Sequence, residues 1–362
     1  MRSVIRCGVS VALLASSVGA AAQERYEAVE GLTIADVIGT VELRFTDRDD
    51  VSVDVTGGDD RSLSVSNENG VLTVGGPERV DEEAFWDAYG GSNGVRIGRV
   101  RLMGGGVGIR LRDGRDARFE EMLADYPRVV IEAPRGTALT LRGSAALVRA
   151  QGEAGALDVP GNVYLRAALG DVGPAKVVMT DRGAVTMGAV AGDLEVALTG
   201  SGDVTFAAAE AARVVLRGSG DVEGGDVAGA LSVDVRGSGD VIARRVDGPL
   251  TVRIQGSGDV EVDEATSIDI EVEGSGDVVV REVEGAVRAV LRGSGDIDLG
   301  DGRAERFEAD LAGSGDIAFG GVAVNPTLRA RGSGDIDLRE AEGPVDAQGR
   351  NITVGGRSYD RD

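Results

Sequence analysis

Residues 256–299 read GSGDVEVDEATSIDIEVEGSGDVVVREVEGAVRAVLRGSGDIDL, and this stretch decides the fold. Gly-Ser-Gly-Asp stands at Gly256, Gly274 and Gly293. Between the copies apolar residues recur at every second position: Val260 and Val262, then Ile268, Ile270 and Val272, then Val278 and Val280. Alternation with β-branched residues on one side is the mark of half-buried strands. Outward from this stretch, Gly-Ser-Gly-Asp begins at Gly200, Gly218, Gly237, Gly256, Gly274, Gly293, Gly313 and Gly332, in steps of 18, 19, 19, 18, 19, 20 and 19 residues. Degenerate copies precede them: Arg142-Gly143-Ser144-Ala145, Pro160-Gly161-Asn162 and Asp181-Arg182-Gly183-Ala184. About eleven units therefore run from near Thr137 to near Val354. Self-similarity at a fixed period of this length means a solenoid.

A second glycine signal sits inside each unit, as in Ala228-Gly229-Ala230, Asp247-Gly248-Pro249, Glu284-Gly285-Ala286 and Glu342-Gly343-Pro344. Each unit is then two or three short strands separated by two glycine turns. The fold class is all-β, a right-handed parallel β-helix; its hand follows the general preference for right-handed parallel crossovers. Glycine's tolerance of positive φ is the expected reason for the Gly-Ser-Gly-Asp corner.

Stacked coils lie ~4.8 Å apart, so the Ser and Asp of the motif form ladders along one edge. Neighbouring carboxylates at that spacing repel by about 1 kcal/mol per pair in water, and something must offset it. One reading has each Asp accept hydrogen bonds from turn N–H groups. The other has calcium bound along Asp203, Asp221, Asp240, Asp259, Asp277, Asp296, Asp316 and Asp335, since calcium suits carboxylate and carbonyl oxygens. Calcium-binding nonapeptide rolls place Gly-Gly-x-Gly-x-Asp twice per coil, whereas here Asp follows Gly directly and the second turn lacks a matching Gly-x-Asp. The expectation is a turn cap, with calcium the only cofactor in question.

Composition narrows the chemistry. The 362 residues contain no His and one Cys, Cys7, so imidazole bases, Ser-His pairs and zinc-thiolate sites are excluded. Gly90-Gly91-Ser92-Asn93-Gly94 matches the nucleophile-elbow string, but without a His base it reads as a loop. Net charge is −23, which disfavours nucleic acid and anionic lipid as partners.

Residues 1–22, MRSVIRCGVSVALLASSVGAAA, have a basic start, a short apolar stretch and a small-residue end, the pattern of a secretory signal peptide. No later segment is apolar enough to be a transmembrane helix. The expected location is exported: periplasmic, cell-surface-associated or secreted. Residues 23–75 alternate, as in Val41, Leu43 and Phe45, and read as an N-terminal β segment or cap, which an open coil requires. Residues 76–127 are an insertion. Glu82 to Tyr89 reads as a short helix carrying Phe85 and Trp86; Phe119, Met122, Leu123 and Tyr126 fall at helical spacing before Pro127. Between them, 95–112 alternates around Gly104-Gly105-Gly106 as a hairpin with Arg96, Arg99, Arg101, Arg110 and Arg112, a candidate anion- or partner-binding face. The repeat domain is 128–354, followed by a tail, 355–362.

The Gly-Ser-Gly-Asp-[Val/Ile] array resembles a family of exported bacterial proteins named for an auto-transporter adhesin with a head GIN domain. The lead-in Tyr126-Pro127-Arg128-Val129-Val130-Ile131-Glu132-Ala133-Pro134-Arg135-Gly136-Thr137 is similar to that family's entry into its coils. The likeness covers about 126–354 well and 28–75 loosely. It implies a parallel β-helix with no demonstrated catalytic residue. The functional expectation is a non-catalytic, adhesin-like or envelope-associated protein that binds a polysaccharide or protein of the cell surface. Two alternatives stand beside it: a polysaccharide-active β-helix enzyme, and a calcium-binding or self-assembling surface scaffold. Against the enzyme, the coils hold few aromatic platforms for sugar, namely Tyr164, Phe206, Phe307 and Phe319.

Overall fold

The computed structural model describes residues 10–13, 24–58, 63–89, 114–180 and 182–360. It is 65% strand and 3% helix, wound as a β-solenoid of about eleven turns, the fold that the repeat predicts. The chain forms two compact units, Met1–Gly173 and Pro174–Asp362.

The first unit contains β1 (Ser10–Leu13), β2 (Glu24–Glu27), β3 (Gly31–Ala35), β4 (Ile38–Thr46), β5 (Asp50–Thr56), β6 (Ser64–Glu68) and β7 (Val71–Gly75). Two helices follow, α1 (Glu82–Tyr89) and α2 (Gly114–Leu123), then β8 (Arg128–Pro134), β9 (Ala138–Arg142), β10 (Ala145–Gln151), β11 (Leu157–Val159) and β12 (Tyr164–Ala168). The strands make two ladders. One runs β12-β10-β4-β8 in parallel and ends in antiparallel β5 and β2. The other runs β11-β9-β3-β7 in parallel and ends in antiparallel β6 and β1. Residues 31–46 thus sit inside the ladders: β4 lies between β8 and β10, and β3 between β7 and β9, with β8, β9 and β10 supplied only after the insertion. The antiparallel pairs supply the cap that a solenoid end needs, because a bare parallel edge would present a full row of unpaired N–H and C=O groups. Asn69 (φ 51°) and Gly70 (φ 79°) close the β6–β7 hairpin with the left-handed pair that two-residue hairpins favour.

The second unit contains β13 (Ala175–Met179), β14 (Arg182–Leu198), β15 (Asp203–Leu216), β16 (Val222–Val227), β17 (Leu231–Val235), β18 (Val241–Ile254), β19 (Val260–Val272) and β20 (Val278–Leu291). It continues with β21 (Ile297–Leu311), β22 (Ile317–Val324), β23 (Thr327–Ala330), β24 (Ile336–Glu342), β25 (Asp346–Gly349), β26 (Ile352–Val354) and β27 (Arg357–Ser358). Successive coils pair in parallel, residue on residue: Val260 on Val241, Val278 on Val260, Ile297 on Val278, Ile317 on Ile297. The inward side chains are buried in every coil, and Phe307 and Phe319 stack with ring centroids 5.2 Å apart. Each fully buried Val, Leu or Ile contributes about 1.5–3 kcal/mol, which is how a chain with so few aromatics builds a core.

Two local expectations change. In β18 to β21 the mid-unit turn is not a break between strands. The parallel ladder continues through it with a shift of register, at Val246/Pro249, Ala265/Ile268 and Gly285/Ala286. Coil-to-coil hydrogen bonding survives a bulge, so the turn costs little pairing. The Gly-Ser-Gly-Asp corner does interrupt the strands, but not through positive φ: from Gly218 to Gly334 none of its glycines lies in the left-handed region. The reason is close approach. A Cβ on any of them would lie 1.8–2.1 Å from the corresponding glycine carbonyl oxygen of the preceding coil. Glycine is required there because backbone rests on backbone.

Candidate functional site

Three hydrogen bonds recur at each step of the Gly-Ser-Gly-Asp corner. The Ser N–H donates to the first glycine's carbonyl one coil back, as in Ser257 to Gly237 and Ser275 to Gly256, both 3.0 Å. The residue after Asp donates to the Asp carbonyl of the next coil, as in Val241 to Asp259 at 2.9 Å. Between them the Asp N–H donates to the carboxylate of the preceding Asp: Asp221 to Asp203 at 3.1 Å, Asp240 to Asp221 and Asp259 to Asp240 at 2.9 Å, then Asp277 to Asp259, Asp296 to Asp277, Asp316 to Asp296 and Asp335 to Asp316 at 2.8 Å. The side chain stands in for a backbone carbonyl at a corner where the strands are interrupted. A charged acceptor makes such a bond worth about 1.5–3 kcal/mol, enough to offset the repulsion along the row. All eight Asp residues named as calcium candidates lie on this row. Among the described residues no group of three or more Asp, Glu, His or Cys side chains converges as a metal cage would.

The first unit builds its corner from buried neutral groups instead. Ser144 accepts the Val37 N–H at 3.1 Å; its own N–H donates to Asn162 Oδ1 at 2.9 Å, and Asn162 Nδ2 donates to the Leu141 carbonyl at 3.0 Å. Asn162 here does the work that Asp does later, without a charge, which suits a site that is almost closed to solvent. The degenerate motifs Arg142-Gly143-Ser144 and Pro160-Gly161-Asn162 locate these residues in sequence, but nothing in them reveals that the pair is buried.

The outward side chains of the second unit are tied coil to coil. Arg288 meets Asp269 at 2.9 Å, Arg331 meets Asp310 at 2.7 Å, and Arg281 bridges Glu261 and Asp263. Arg244 pairs with Asp226, and Arg292 with Glu271 and Glu273. Arg303 reaches Glu342 at 2.7 Å, and its hydrogen bond holds the Glu342 carboxyl below the usual range. In the first unit Arg48 does the same to Asp50 while also contacting Glu132 and Ser52. Exposed pairs contribute about 0–1 kcal/mol each; their effect here is to leave a surface of ordered, alternating charge. Glu223 is the exception: half-buried between Thr205 and Ile242 on adjacent coils, its carboxyl is pushed up by desolvation.

The insertion forms its two helices where the sequence places them, with α2 ending at Leu123 and Tyr126 just beyond. They cover β10 and β12. Phe85, Phe119 and Leu123 pack with Ala145, Leu147 and Tyr164, and Trp86, Met122 and Tyr126 close the cluster at half-buried positions. The Phe119 and Tyr164 rings lie 4.7 Å apart, edge to face, and Trp86 lies 5.5 Å from Tyr164. The receiving strand is legible in retrospect: Ala145-Ala146-Leu147-Val148 breaks the alternation because both of its sides are buried. The arginines Arg96, Arg99, Arg101, Arg110 and Arg112, with the hairpin drawn around them, lie outside the described residues. So does most of the leader, 1–22, of which only Ser10–Leu13 is described. A surface depression of about 470 Å³ is lined by Thr46, Asp47, Arg48, Asp49, Pro134 and Arg135; Asp47 is paired with Arg135 and Arg48 with Asp50.

A parallel β-solenoid with an antiparallel N-terminal cap and a hydrogen-bonded Gly-Ser-Gly-Asp corner defines the class. The chain belongs to the family described as "Putative auto-transporter adhesin, head GIN domain", whose model matches residues 33–283. The match spans the β segment, the insertion and part of the repeat array. Among solved structures the chain is similar to a "putative cell adhesion protein" from Clostridium sporogenes, at 9% identity and a TM-score of 0.22, over 62% of this chain and 99% of that one. No curated protein matches the chain. The family makes the chain adhesin-like. Among the described residues no helix is long and apolar enough to cross a membrane.

Proposed function

We propose that the protein is exported and acts without catalysis, as an envelope-associated adhesin-like module that binds a surface polysaccharide or protein along its outer faces. One observation carries this reading: the outward side chains form a repeated, mutually fixed polar surface rather than a cleft. A surface whose side chains are already ordered loses little entropy on binding, which favours an extended ligand that repeats along its own length. The absence of His from the sequence removes the commonest general base. The four coil aromatics that could have made sugar platforms, Tyr164, Phe206, Phe307 and Phe319, are all buried.

Incubating the purified protein with envelope fractions and with a panel of acidic and neutral polysaccharides tests the reading. Retention on one of them, with no new reducing ends and no unsaturated sugar product, is the expected result. Depolymerisation that disappears on replacing a single carboxylate would overturn it in favour of a polysaccharide-active enzyme.

The same reading makes the Asp row a structural element that needs no metal. Thermal melts in EDTA and in millimolar calcium are expected to coincide. A single site saturated to ~100 times its dissociation constant would add about 2.7 kcal/mol, a shift of several degrees that such melts would not miss.

A further inference from the structure

We propose that the outer edge of β6 is a strand-acceptor site and that its occupant, once Ser10–Leu13 is gone, is β6 of a second copy of this chain. The edge is shown to accept a strand, because β1 pairs with it antiparallel: Ser10 on Asn67, Val11 on Ser66, Ala12 on Val65 and Leu13 on Ser64. Among the described residues β1 alone covers that side of β6, and β7 holds the other. Ser10–Leu13 lies inside the apolar stretch of the segment read as a cleaved leader, so the opening of the edge rests on that reading. Removing β1 leaves a row of backbone N–H and C=O groups next to the buried Val65.

A sheet edge that is to stay single normally carries charge or proline to repel other strands. The other terminal strands have such charges: Glu24, Arg25 and Glu27 on β2, Asp346 on β25, Arg357 on β27. In β6, Ser64-Val65-Ser66-Asn67-Glu68, the four residues from Ser64 to Asn67 are uncharged and none is proline.

The register of a symmetric pair follows from the hairpin. Glu68 and Val71 close a two-residue loop and are a hydrogen-bonded pair. Alternation then aims the backbone groups of Ser64, Ser66 and Glu68 at β7, and those of Val65 and Asn67 at the open edge. A two-fold axis through Ser66 sets Val65 opposite Asn67 of the second copy, so outward-pointing groups meet outward-pointing groups on both sides. Ser66 then faces Ser66 of the second copy as a non-hydrogen-bonded pair, with Cα atoms about 4.5 Å apart. Glu68 falls opposite Ser64 of the second copy, so no like charges oppose each other. Five residues make a small interface, below the size of a standard stable one, so association is expected to be weak and to need high protein concentration.

The experiment uses the gene product exported with its own leader. Mass spectrometry reads the mature N-terminus, and light scattering at high protein concentration reads the mass. Ser66→Cys is expected to give a disulfide-linked dimer under mild oxidation, since the Cα separation falls within the range a disulfide spans. Ser238→Cys, at an exposed corner, serves as the control. Asn67→Pro is expected to give a monomer with unchanged circular dichroism, because it removes an outward N–H and leaves the bonds to β7 intact. A mature chain starting beyond residue 13 that stays monomeric, with no more cross-linking in Ser66→Cys than in Ser238→Cys, overturns the proposal. A mature chain that retains Ser10–Leu13 overturns it as well, because the edge then stays filled, and the measured N-terminus shows that the leader reading was what failed.

Discussion

Gly258→Ala is expected to lower the unfolding free energy by about 3 kcal/mol or more, the upper range for forcing atoms into a packed interior. The new Cβ would sit 2.0 Å from the Gly239 carbonyl oxygen and 2.9 Å from the carbonyl carbon. Neither neighbour is the free end of a side chain, so relief requires moving backbone in both coils. That movement would strain the Ser257 to Gly237 and Asp259 to Asp240 hydrogen bonds on either side. Gly136→Ala is the matched control. Its φ of +77° lies in the left-handed region, but a Cβ there meets nothing within 4 Å, so the expected cost is about 1–2 kcal/mol from conformation alone. Urea unfolding of both variants, with hydrogen exchange across residues 237–277, separates the two causes. Gly258→Ala should also loosen exchange locally, because each coil of a solenoid is held chiefly by its neighbours. A Gly258→Ala protein within about 0.5 kcal/mol of the parent, the scatter of an ordinary surface substitution, would mean that the corner tolerates separation of its coils, and the close-approach account would be wrong.

The contrast between Gly136 and Gly258 shows what the sequence can and cannot convey. Glycine at a fixed spacing marks a corner, but composition does not distinguish a residue chosen for φ from one chosen for lack of volume. The period, the alternation and the repeated Asp were enough for the solenoid, because each coil buries its Val, Ile and Leu in register with the next. The coil at residues 31–46 was legible only as strands. Its pairing with β8 and β10 on one ladder, and with β9 on the other, depends on contacts across the insertion that no local pattern encodes. The helices of the insertion were legible from the spacing of Phe119, Met122 and Leu123, whereas their seat on Leu147 and Tyr164 was not. Tyr164 looked like one of the few aromatics available to a ligand; it is the floor of the helical cluster.

Asp259→Ala is expected to cost about 1–3 kcal/mol, and Asp259→Asn much less. The Asp277 N–H donates to Asp259 Oδ1 at 2.8 Å, and alanine leaves that donor without its acceptor at a turn where no backbone carbonyl replaces it. Asparagine keeps an acceptor oxygen in the same place. It also removes one charge from a row in which each carboxylate repels its neighbours by about 1 kcal/mol in water, which offsets part of the weaker hydrogen bond. The first unit already contains a neutral version of this arrangement, where Asn162 Oδ1 accepts the Ser144 N–H. The expected order of stability is therefore parent and Asp259→Asn close together, with Asp259→Ala well below, measured by urea unfolding at neutral pH. Added salt should narrow any gap between parent and Asp259→Asn, because screening weakens the repulsion that the neutral side chain relieves. If asparagine and alanine were equally damaging, the corner would need the negative charge and not the acceptor. A row of charges retained against its own repulsion would then require a bound cation, and the melts in calcium would have to shift with it.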